Sequence, residues 1–165
     1  MNVRACRCVL VVLMALAPLV ASAYTVSTTG SGAEVKWAAG TASILINTSA
    51  GPVGSDAAIL AAMSTWSTVP GASFVLTHGG SSTLSGFIND DINVCSFEDM
   101  GEADGTLARN TRWFLVSSGQ LQDSDIVFNT YYPWSATGGR GYDVQNVATH
   151  EFGHSVALDD LYGRG

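Results

Sequence analysis

Apolar positions along the chain fall mostly into short runs and switch to helical spacing in two places. Residues 34–37 and 42–46 read as short strands broken by Ala39-Gly40. Residues 51–54 form a turn, and Ser55 is placed to N-cap a helix with Asp56 in its first turn. Ile59, Ala62, Met63 and Trp66 then recur at helical spacing, which predicts a helix over 56–67, ended by Pro70-Gly71. Beyond it the period returns to strands at 73–77, 92–97, 111–116 and 126–129. The stretches between them, 79–90, 98–110 and 130–142, are long and polar or Gly-rich, and loops of that length usually serve function or a ligand. A second helix follows Asp143, a good N-cap, and carries Val144, Ala148, Phe152 and Val156 four apart over 144–156. Residues 24–33, rich in Ser, Thr and Gly, read as a loose arm. Many strands early and a helix last predict an α+β domain with one mixed sheet.

The first residues change the picture of the rest. Arg4 and Arg7 precede an apolar run over 9–20, and Ala21-Ser22-Ala23 is a small-residue cleavage site. This is a secretory signal peptide, residues 1–23, leaving 24–165 as an exported domain, extracellular or periplasmic. No later segment approaches the ~20 apolar residues that span a bilayer, so no membrane partner is expected after cleavage.

At 165 residues the chain holds one domain, and 47% hydrophobic against 13% charged residues excludes a disordered tail or a charged coiled coil. A net charge of −7 with a single lysine, Lys36, excludes a nucleic-acid partner. Cys6 and Cys8 leave with the leader, so Cys95 has no internal disulfide partner and reads as a small buried hydrophobe. Asp90, Asp91, Glu98, Asp99, Glu102, Asp104, Asp123 and Asp125 crowd the loops. They read either as solvated surface or as oxygen donors for Ca²⁺, without the spacing of an EF-hand.

The chemistry concentrates on the second helix. At ~100° per residue His150 and His154 lie on the side away from the apolar stripe, about 40° from each other. Two imidazoles one turn apart reach one ion at ~2.0–2.1 Å, and Glu151 stands beside them where a metal-bound water would sit. This is the H-E-x-x-H arrangement, with the Glu as general base. The third histidine, His78, sits beside Gly79-Gly80 and reads as a bystander. A catalytic zinc needs a further protein ligand. No Glu follows His154, and Asp159 and Asp160 are the downstream candidates. On an unbroken helix Asp160 would stand ~9 Å further along the axis than His154, so the chain must turn back after Val156 for Asp160 to bind.

The run from Asn146 to Asp160, containing His150-Glu151-Phe152-Gly153-His154 and ending Ala157-Leu158-Asp159-Asp160, resembles the active-site helix of the matrixin-like metzincin metalloproteases. Their pattern is H-E-x-x-H-x-x-G-x-x-H, with Asp replacing the last His in the snapalysin-like variant. Weaker similarity runs through Lys36-Trp37, the helix ending at Trp66, and Asp125-Ile126-Val127-Phe128-Asn129. The resemblance implies a twisted, mostly parallel sheet, two principal helices and a cleft over Zn²⁺. It implies His150, His154 and Asp160 as metal ligands and Glu151 as the catalytic base.

The family glycine that turns the chain out of the helix is Ala157 here, where a positive φ costs roughly 1–2 kcal/mol. The sequence ends at Gly165, before the family's Met-containing turn, so the C-terminal subdomain is expected to be missing. No cysteine-switch segment lies between Ala23 and Trp37. The expected function is a secreted zinc endopeptidase acting on peptide or protein substrates. The alternatives are a non-catalytic domain that keeps the motif and a calcium-dependent binding module.

Overall fold

The computed structural model describes residues 25–101 and 105–160. Residues 1–23, read from the sequence as a signal peptide, and two of the loop acids, Glu102 and Asp104, lie outside the described residues. The elements run β1 (Thr25–Val26), β2 (Lys36–Trp37), β3 (Thr41–Asn47), α1 (Ser55–Ser67), β4 (Val75–Ser81), β5 (Val94–Glu98) and β6 (Ala108–Phe114). They continue with β7 (Gln120–Asn129), β8 (Trp134–Ser135), β9 (Tyr142–Asp143), α2 (Val144–Ser155) and β10 (Leu158–Asp159).

The main sheet is mixed and mostly parallel: β4, β3, β5 and β7 lie side by side in parallel, and β2 pairs in parallel with the start of β7. β6 runs antiparallel along the opposite edge of β7, from Ala108 against Phe128 to Phe114 against Leu121. Both helices pack into one core with the sheet. Ile44 and Ile46 of β3, Ile59, Ala62 and Met63 of α1, and Val144, Ala148 and Phe152 of α2 are all buried there. Phe97 and Phe128 stack beneath them at 4.7 Å between ring centres. Among the described residues no helix is long and apolar enough to cross a membrane.

Several expectations shift. Ser55 is the buried first residue of α1 and its hydroxyl donates to Pro52 O at 2.7 Å, while Gly54, at φ 91, occupies the cap. β7 begins six residues earlier than its apolar run predicts because Asp123, Ser124 and Asp125 are buried in it, so polarity hides the strand. β6 begins at Ala108 rather than 111 and stops before Leu115 and Val116, which are exposed.

The arm that looked loose is not. β1 pairs antiparallel with β10, and Ser27 and Thr29 are buried. Gly119, at φ 74, makes the neighbouring approach possible, since a Cβ there would meet Glu34 O at 2.1 Å. Its carbonyl accepts from Lys36 N at 2.9 Å, which docks β2.

Candidate metal centre

α2 is set by its two ends and its apolar stripe. The Asp143 carboxylate accepts from Asn146 N at 2.7 Å, and Val144, Ala148 and Phe152 are fully buried. With that face fixed against the core, His150 is exposed, His154 is half-buried and Glu151 is 6% exposed. The Trp66 indole donates to Thr149 O at 2.7 Å and Trp37 to Ser155 O at 2.8 Å, pinning both ends of the functional stretch.

The helix stops at Ser155. Val156 N donates to Phe152 O, Ala157 N donates to His154 O at 2.8 Å, and Ala157 takes φ 67. This left-handed residue sends the chain back along its own helix. Its methyl is buried in a small cluster with Val35 and Leu121. Asp160 returns to the histidines: its Oδ1 lies 3.4 Å from His150 Nε2 and 3.7 Å from His154 Nε2.

The donor atoms of His150, His154 and Asp160 all lie within 4.8 Å of one another. The two contacts to Asp160 are long for hydrogen bonds. They match the ~3.3 Å edge of a tetrahedron with metal–ligand bonds of ~2.0–2.1 Å. Two imidazoles and a carboxylate are also a donor set that zinc takes. His154 Nδ1 lies 2.8 Å from Leu158 O, a pure acceptor, so Nδ1 carries a proton and Nε2 is the nitrogen turned toward Asp160. The two rings stand edge to face, 4.9 Å apart.

Glu151 lines the same cleft, of about 650 Å³, whose opposite wall is residues 105–110. Burial pushes its carboxyl above the usual range, against the imidazoles of His154 and His150, and Asp160 adds to the rise. Behind it Asn110 of β6 donates to Glu151 O at 3.0 Å and to Ser155 Oγ at 2.7 Å, and Ser124 Oγ closes the network on Ser155 at 2.9 Å. Nothing in the local sequence announces Asn110. Its partners are 41 and 45 residues away.

The other candidates stand apart. Asp159 turns from the cluster to Arg112, at 3.1 Å. Burial opposes its charge, but hydrogen bonds from Ser27 and Arg112 and the guanidinium charge hold its carboxyl below the usual range. His78 is exposed on β4. Asp123 accepts from Asp90 N and Asp91 N, and Asp125 from Ile88 N and Val94 N, so these acids fasten the 88–94 loop to β7. Among the described residues they do not converge as a three-donor group. Cys95 is fully buried, and burial, with Glu151's charge adding, pushes its thiol up. No protein-family model matches the chain, and a search of the curated proteins finds no match to it.

Proposed function

We propose that this chain is an exported, matrixin-like zinc endopeptidase. The observation that carries the reading is the convergence of His150, His154 and Asp160 beside a buried carboxylate, Glu151, in one cleft. His150 Nε2, His154 Nε2 and an Asp160 oxygen would hold the ion. Zinc bound there supplies a Lewis acid and lowers the pKa of a coordinated water toward neutrality.

Glu151 accepts the proton of the attacking water and returns it to the nitrogen of the leaving amine. Its burial keeps it basic enough for that exchange. A peptide is the substrate that fits the cleft wall. β6 is hydrogen-bonded to β7 on one edge, and its residues 108–110 line the cleft. A strand edge offers backbone N–H and C=O groups to an extended chain, which aligns a peptide bond before the Glu151 carboxylate.

The test is zinc content and peptide cleavage of the purified chain beside Glu151→Gln. The wild type should bind zinc and cleave. The variant should bind zinc equally and cleave ~10²–10⁴-fold more slowly, the usual contribution of a general base. A wild type that holds no zinc, or a variant that cleaves as fast, would overturn the reading.

A further inference from the structure

The segment nearest the cluster is not held by α2 alone. β10 carries Leu158 and Asp159 immediately before Asp160, and it pairs with β1: Thr25 opposes Asp159 and Val26 opposes Leu158. Ser27 N donates to Ala157 O at 2.9 Å, gripping the left-handed turn itself. The side chains add a second grip. Asp159 Oδ1 accepts from Ser27 Oγ and from Arg112 Nη2 at 3.1 Å. Arg112 Nη1 donates to Ser27 Oγ at 3.0 Å and to His154 O at 3.1 Å. One guanidinium on β6 therefore ties together the arm (Ser27), the returning strand (Asp159) and the end of the helix (His154).

These contacts assemble from three distant parts of the sequence, and Arg112 is largely buried there, with 18% of its side chain exposed. The planar fork of arginine serves several acceptors at once, which a lysine ammonium cannot do with the same geometry. Without the tie, Asp160 would depend on a strained residue, Ala157, and a two-residue strand to keep its place.

We infer that Arg112, Ser27 and Asp159 are positioning residues of the metal centre, a latch between the chain's first strand and the Ala157 turn that holds Asp160 against the histidines. The inference rests on the metal-site reading above. It adds that the arm is needed for a tight centre, although none of its residues belongs to the three-donor group. Groups one layer behind metal ligands typically set ~10–100-fold in affinity.

The experiment is Zn²⁺ affinity of the full purified chain, read by competition with a chromophoric chelator, with circular dichroism on each variant. Arg112→Met should lower zinc affinity ~10–100-fold while keeping the wild-type spectrum. Ser27→Ala should lower it in the same direction and by less, and it remains informative if Arg112→Met does not fold. In an Asp160→Ala background Ser27→Ala should change affinity no further and Arg112→Met much less than in the wild type, because the latch acts chiefly through Asp160. Arg112→Lys should recover only part of the loss. Unchanged affinity in both Arg112→Met and Ser27→Ala, or equal losses with and without Asp160, would overturn the latch. A wild type that binds no zinc would instead overturn the site beneath it.

Discussion

The Trp66 indole donates to Thr149 O, one residue before His150, and its six-membered ring lies over Gly153, one residue before His154. A Cβ on Gly153 would stand 3.1 Å from Trp66 Cζ2, and the ring is held by its hydrogen bond. Gly153→Ala gains ~1 kcal/mol of helix propensity, but overpacking against a fixed ring costs ~1–3 kcal/mol. We expect it to destabilise the wild type, and to become stabilising when Trp66→Phe shortens the ring. Urea midpoints of the four proteins check this. The same sign in both backgrounds would show that the indole does not set the α1–α2 distance.

Ala157 poses a similar balance at the turn. Glycine there would relieve the positive-φ strain, ~1–2 kcal/mol. It would also lose a buried methyl against Val35 and Leu121, ~0.8 kcal/mol, and give the unfolded chain ~0.4–1 kcal/mol more entropy. The terms nearly cancel, so Ala157→Gly should change stability by less than ~1 kcal/mol. Ala157→Val puts a β-branched residue at φ 67 and should destabilise by more than the glycine change and weaken zinc binding. Equal stability of the valine and glycine variants would mean that the turn can relax elsewhere.

How much of this was legible in the sequence follows from where the determining contacts lie. The α2 stripe, its Asp143 cap and the histidine spacing are local, within a few residues of each other, and a periodicity argument reaches them. The need for a turn after Val156 followed from the helix rise. The strand β7 was half hidden because its buried residues include Asp123, Ser124 and Asp125, whose partners are backbone N–H groups and side chains from other segments. The arm hid for the same reason. Ser27 looks solvent-loving until Ala157 and Asp159 arrive from the far end of the chain. Asn110 and Arg112 gave no signal, because their partners on α2 and the turn lie more than 40 residues away in the sequence.

Burial raises the Asp125 carboxyl to about 6, in spite of the Ile88 and Val94 amides and with the charges of Asp123 and Asp90 adding to the rise; burial raises Asp123 as well. The folded chain therefore holds these protons to higher pH than the unfolded chain, where an Asp titrates near ~3.9. Between about pH 4 and 6 the folded state binds more protons at Asp125, so its contribution to stability falls as pH rises through that window and levels off above it; the raised Asp123 acts in the same sense. Asp125→Asn should flatten this slope, even though it loses one of two acceptors and lowers stability overall. Urea midpoints at several pH values in this window check it, and an unchanged slope would show that Asp125 titrates normally.

The sharpest test of the centre compares the two adjacent aspartates. Asp160 Oδ1 faces both imidazoles, while Asp159 Oδ1 faces Arg112 and Ser27. Structural zinc sites with four ligands bind with ~10–16 kcal/mol, so each ligand accounts for ~3 kcal/mol, about a hundredfold in affinity. Asp160→Ala should lose about that much. Asp159→Ala loses only a support of the ligand and should lose less. Asp160→His supplies a nitrogen donor that zinc also accepts, and should keep most of the affinity. Zinc competition with the three variants decides the assignment. If Asp159→Ala loses more than Asp160→Ala, the ligand is Asp159, and the turn at Ala157 must rearrange when the ion binds.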